Sequence, residues 1–78
     1  MPIETMKKVA YDFAKKMIED NKSLLDNNLT NNTREWYLIV TFANAYYNYL
    51  LGKWTKEKAV KCIDYYITTA NSYLNVFE

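Results

Sequence analysis

The chain is predicted to be all-α: an antiparallel up-down-up bundle of three helices at about 3–25, 33–51 and 56–77, forming one domain over residues 1–78. Three observations predict this. Gly52 and Pro2 are the only glycine and proline, so long stretches contain no helix breaker. Apolar residues recur at spacings of three and four in every long segment. No alternating strand pattern and no repeat of roughly 20–50 residues is visible.

Helix 1 opens at Pro2, which suits a first turn because its missing N–H has no partner there anyway. Met6, Ala10, Phe13, Met17 and Leu24 then form one apolar stripe, opposite a solvated face of Lys8, Asp12, Lys15 and Glu19. Glu4–Lys8 and Asp12–Lys16 are favourable i,i+4 pairs. The segment "DNNLTNN" ends the helix, since Asp and Asn side chains bond their own backbone and favour turns.

Helix 2 starts at a capping-box spacing, Asn32 with Glu35, and stops at Gly52, which can take the left-handed position after a helix. Thr55 is a good N-cap for helix 3, where Ala59, Ile63, Tyr66, Ala70, Tyr73 and Phe77 line one face. Helix 2 differs from its neighbours in carrying two apolar faces. Trp36, Ile39, Val40, Ala43, Tyr46, Tyr47 and Leu50 form a broad one, expected to be core. Leu38, Phe42, Ala45 and Tyr49 form a second. Two neighbouring helices can cover much of helix 2, and a clamped central helix can bury a wide arc. The second face thus reads either as plain core or, if left in water, as an apolar patch of the kind that usually marks an interaction site. The second reading is preferred. Leu38, Phe42, Ala45, Tyr46 and Tyr49 are therefore the candidate self-association face. Eight tyrosines, with Tyr11 and Tyr65 off the main stripes, favour an interface, where the ring can be dry and the hydroxyl wet.

Several chemistries are excluded. The chain has no histidine, no phosphate-binding glycine loop and no nucleophile elbow, so no catalytic constellation emerges and no enzyme is expected. Cys62 is alone, so it closes no internal disulfide, and it has no histidine to join it at a metal. It is expected as a half-buried small hydrophobe. No cofactor or metal is expected. "DNNLTNNTREWY" brushes against a calcium loop, but Asn31 stands where glycine is needed and Tyr37 where a bidentate glutamate is needed. The apolar run of helix 2 is interrupted by Asn44 and Asn48 and is too short to span a bilayer. The start, "MPIETMKK", carries charge where a signal peptide is apolar. The triplets at Asn21, Asn28 and Asn31 are then chance matches to a glycosylation signal, and a cytoplasmic location is expected.

"NAYYNYLLGKWTKEKAVKCIDYY" resembles a tetratricopeptide hairpin in its NAYY, its Gly-x-aromatic turn and the Glu and Ala that follow. Two extra residues separate NAYY from Gly52, and one unit stands where such arrays need about three. It is read as a generic helical hairpin.

The net charge of +1 hides an uneven distribution. In an up-down-up bundle Lys7, Lys8, Lys53, Lys56, Lys58 and Lys61 gather at one end against Glu4 and Glu57. Glu19, Asp20, Asp26, Glu35 and Glu78 gather at the other against Lys22 and Arg34. The six lysines are the candidate patch for an acidic protein partner. Taken together, these features describe a small non-enzymatic protein–protein interaction protein of the inhibitor, adaptor or immunity type. A homodimer through helix 2 is expected, and the Asn, Lys, Tyr and Ile content suits a phage or mobile element. The alternative is a nucleic-acid accessory protein using the same lysines. A membrane-surface role fits poorly, because Asp12, Glu19 and Asp20 lie on the polar face of helix 1.

Overall fold

A computed structural model describes residues 2–25 and 32–76, without the side chains of residues 24, 32–34 and 76. The Asp26–Asn31 linker, the Asn32 half of the capping box, Phe77 and the charges of Arg34 and Glu78 lie outside what is described. Among the described residues the chain is all-helical, and four helices pack together, with one further helical turn.

The first helix, α1, spans Ile3–Asp20 and starts where the Met6 N–H reaches the Pro2 carbonyl at 3.0 Å. It stops at Asn21, whose backbone leaves helical geometry (φ −112°, ψ 18°), and one turn, α2 (Lys22–Leu25), continues beyond it. The expected 3–25 helix is therefore broken at Asn21. Ala10, Phe13, Ala14, Met17 and Ile18 are buried. The exposed ion pairs are Lys8–Asp12 at 3.0 Å and Lys7–Glu4 at 4.0 Å, so Lys8 turns forward to Asp12 rather than back to Glu4. Such pairs contribute little in water.

Helix α3 spans Asn32–Leu50 and lies antiparallel to α1, with Lys7 beside Tyr47 at one end of the seam and Lys22 beside Glu35 at the other. It ends in a Schellman motif. The Lys53 N–H bonds the Asn48 carbonyl at 3.0 Å and the Gly52 N–H bonds the Tyr49 carbonyl at 3.1 Å. That closure needs Gly52 at φ +79°, the one positive φ among the described residues. Thr55 then caps α4 (Lys56–Asp64), its hydroxyl accepting the Lys58 N–H at 3.2 Å.

The third expected helix is not continuous. It stops at Asp64, passes through Tyr65–Thr69, and resumes in the reverse direction as α5 (Ala70–Val76), which brings Asn75 back to Lys56. Three residues explain the break. Ile67, Thr68 and Thr69 are β-branched in a row and poor helix formers. Ile67 is nonetheless buried, and so are Ala70 and Leu74 after the bend. The apolar stripe read as one long helix thus serves two short antiparallel ones. The up-down-up expectation is corrected to α1, α3, α4 and a folded-back α5.

Asn21 shows what holds the fold-back. It is only 6% exposed, and it is the one buried polar side chain among the described residues. Its amide donates to the Met17 carbonyl at 2.8 Å and contacts the Tyr73 hydroxyl at 3.5 Å, while its Oδ1 accepts from Thr69 Oγ1 at 3.2 Å. Tyr73 also donates to Asp20 at 2.8 Å. The C-terminal end of α1 is thereby pinned to the start and middle of α5. Removing one member of such a buried network costs about 1–3 kcal/mol, because its partners lose their bonds without regaining water.

Between these helices lies an aromatic core. Phe13 of α1 stacks on Tyr46 of α3 with ring centroids 4.2 Å apart, and Tyr73 of α5 meets Phe13 edge-on at 6.3 Å. Phe42 of α3 meets Tyr66 at the end of α4 edge-on at 5.7 Å. Buried alanines, Ala10 and Ala14 on α1, Ala45 on α3, Ala59 on α4 and Ala70 on α5, let the helices approach closely.

Urea unfolding should show Asn21→Ala less stable by about 1–3 kcal/mol and Phe42→Ala by about 3–5 kcal/mol. Losses below 0.5 kcal/mol at both sites would contradict this core. The tyrosines add an alkaline dependence. Burial, then the neighbouring Tyr49, pushes the Tyr46 hydroxyl from its ordinary value near 10 up to about 12. Burial and the bond to Asp20 also raise Tyr73. A raised folded-state pKa means the folded chain keeps its proton longer than the unfolded one. Tyr46's contribution is thus complete below pH 10 and is lost as pH rises towards 12. The decline due to Tyr46 is about 3 kcal/mol. Tyr46→Phe should flatten that part of the stability–pH curve.

Candidate functional site

Each face of α3 meets a different environment. Leu38, Phe42 and Ala45 have no exposed surface and Tyr46 is 1% exposed, while Tyr49 is half-buried. The candidate self-association face is therefore the core of this chain, not an exposed patch. The physical reason is that α4 packs on this side of α3. Phe42 meets Tyr66 at the end of α4, and Tyr46 stacks on Phe13 of α1, which Tyr73 of α5 meets in turn.

The broad face, expected to be core, is covered only in part. Tyr46 is buried and Ile39, Ala43, Tyr47 and Leu50 are half-buried, but Trp36 is 65% exposed and Val40 45%, with Tyr11 of α1 across from them at 48%. Together with half-buried Ile39, Ala43 and Tyr47, they line an open groove of about 300 Å³ along the outer side of the α1–α3 seam. Ala10 lies in its floor, and Lys7 and Asn44 stand at its upper end. No residue of α4 or α5 lines it. A second hollow of about 250 Å³ continues the seam past Ile39, bordered by Ile18 and by Lys15, Glu19, Lys22 and Glu35.

Local structure explains this placement. Trp36, Val40 and Asn44 are four apart, and Ile39, Ala43 and Tyr47 form the adjacent row, so both rows run along one side of α3. On α1 the same spacing aligns Lys7, Tyr11 and Lys15, with the Lys15 ammonium 5.4 Å from the Tyr11 ring centre. The groove thus has an aromatic and aliphatic lining with Lys7 at one end, and the hollow that continues the seam carries Lys15, Glu19, Lys22 and, near the start of α3, Glu35.

One sequence signal could have located this groove. Leu38, Phe42 and Ala45 carry no polar side-chain atom, so a core accepts them at no hydrogen-bonding cost. Trp36 and Tyr47 each carry a group that needs a partner when buried. Of two apolar stripes, the one with fewer polar side-chain atoms is the better core.

The six lysines are each held in a local setting. Lys7 and Lys8 lie on α1, engaged by Glu4 and Asp12. Lys58 sits over the Trp54 ring at 4.7 Å, and Lys56 bonds Asn75. Lys56 and Lys61 share a shallow hollow with Glu57 and Asp64, which balances their charge. Lys53 is exposed on the turn after Gly52. A second aromatic group lies at the end of α4, where Tyr65 is 84% exposed and packs edge-on against Tyr66 at 5.0 Å. The Tyr66 hydroxyl bonds Tyr37, which with burial raises its pKa.

Cys62 is half-buried and unpaired by disulfide. Among the described residues no group of three metal-ligating side chains occurs, and no helix is long and apolar enough to cross a membrane. No family model, no curated protein and no solved structure matches the chain.

If the groove is surface and not core, its residues are dispensable for folding. In dilute protein, Trp36→Ala and Val40→Ser should each change the unfolding free energy by no more than about 0.5 kcal/mol. A loss at Trp36 comparable to that at Phe42 would return this face to the core.

Proposed function

We propose that the chain is a non-enzymatic protein that works by contact with another protein surface, in the manner of an inhibitor, adaptor or immunity-type protein, and that the α1–α3 groove is its contact surface. The observation that carries this reading is the exposure of Trp36, Val40 and Tyr11 together beside one apolar groove. Exposed apolar area of this kind is costly to keep in water and commonly serves recognition. Tryptophan and tyrosine are also the residues that dominate protein contacts, because they bring large rigid area at low entropic cost. The absence of histidine from the sequence and of any catalytic constellation supports the non-enzymatic part. The nucleic-acid alternative has less behind it, since Lys7, Lys8, Lys56 and Lys61 of the lysines it needs have acids beside them.

A photo-crosslinking amino acid placed at Val40, in the cell that makes this protein, should give discrete adducts. The same group at Asp64, exposed on α4, should give none. Equal, diffuse labelling from both positions would rule the groove out as a contact surface.

A further inference from the structure

We infer that the occupant of the groove is a second copy of this chain, seated across a two-fold axis beside Val40; this rests on the contact reading above. In a two-fold contact the same patch meets itself, so whatever protrudes at one end must fit what is hollow at the other. The seam satisfies this in shape. Trp36 is the most exposed large side chain on the seam, four residues before Val40. Asn44 stands four residues after it, beside the open end bounded by Lys7, Ala10 and Tyr47. Rotation by half a turn about Val40 places Trp36 of each copy at Asn44 of the other and turns its indole towards that open end. A hollow of about 300 Å³ suits one large aromatic side chain and is small for a whole helix, which with its side chains is about 10–12 Å across.

The charges satisfy it too. The same rotation carries Glu35, adjacent to Trp36, towards Lys7 of the other copy, and the reciprocal pair forms at the opposite end. Lys7's present partner, Glu4, is 4.0 Å away on an open surface, and its carboxylate is almost fully solvated. Lys7 is therefore held weakly and can turn to Glu35. Glu19 and Lys22, which border the same hollow as Glu35, travel with it and offset each other. Lys15 lies level with Ile39 and stays near the axis, where it approaches its own copy, a like-charge contact that an exposed ammonium relieves by turning into water. A parallel arrangement instead sets Lys7 on Lys7 and Glu35 on Glu35. Charge thus selects the antiparallel pairing. A face two helices wide is at the small end of specific interfaces, so the dimer should dissociate on dilution and weaken with salt.

The test is a charge swap read by sedimentation equilibrium over a hundredfold concentration range at low salt, with circular dichroism confirming that each variant is folded. Wild type should be in monomer–dimer equilibrium. Lys7→Glu and Glu35→Lys should each weaken association at least tenfold, and the double variant Lys7→Glu/Glu35→Lys should recover to within about threefold of wild type. Single variants that dimerise like wild type would overturn the register. A wild type that stays monomeric throughout would overturn the second copy as occupant. Adducts from Val40 to a different protein would then leave the contact reading standing, while no adducts would end both.

Discussion

A buried asparagine cannot be left without partners, and at Asn21 this requirement organises the rest of the molecule. Its amide and carbonyl are satisfied by the Met17 carbonyl and by two groups far along the chain, Thr69 and Tyr73. Those partners come within reach only if the C-terminal segment turns back at residues 65–69 and returns to the end of α1. The return sets Tyr73 against Phe13, which stacks on Tyr46, while Tyr66 at the end of α4 meets Phe42, and this aromatic cluster lies in the core. With α4 and α5 committed to that side of α3, nothing in the chain remains to cover the outer side of the α1–α3 seam. The open groove follows from the same event that completes the core.

The aromatic residues divide along this boundary according to their polar atoms. Phe13 and Phe42, which need no hydrogen bond, are fully enclosed. Tyr73 and Tyr66 keep their rings in contact with the core and direct their hydroxyls to Asp20 and Tyr37 at its rim. Trp36, Tyr11 and Tyr65 lie where water or a partner can meet their polar edge. Tyr46 is the exception, a phenol taken almost wholly out of solvent, and its raised pKa is the electrostatic record of that burial.

Charge follows a more local logic. A net charge near zero is reached through short-range pairing, as in Lys8 with Asp12 and the mixed hollow of Lys56, Lys61, Glu57 and Asp64. Screening in water limits what such pairs contribute to stability. They do remove the single-signed surface that a phosphate backbone would need. Along the groove the balance differs, with Lys7 and Glu35 separated by the length of the seam. Their separation gives the face a direction.

Much of the helical architecture was legible in the sequence because its causes are local. Gly52 ends α3 by a backbone conformation that only glycine takes without strain, Thr55 caps α4 through its own hydroxyl, and the buried stripe of α1 follows from spacing alone. The exposure of Tyr11 and Tyr65, off the main stripes, was legible for the same reason. The tertiary structure decided two things that spacing does not encode. A periodic apolar stripe from Ala59 to Tyr73 is compatible both with one helix and with two that fold together, and the long-range bonds of Thr69 and Tyr73 to the end of α1 accompany the second. Likewise the sequence marks α3 as having two apolar faces, but periodicity is blind to which one neighbours will cover. That depends on the side of α3 that α4 packs against, where Tyr66 meets Phe42, so the candidate site moved from Leu38 and Phe42 to Trp36 and Val40.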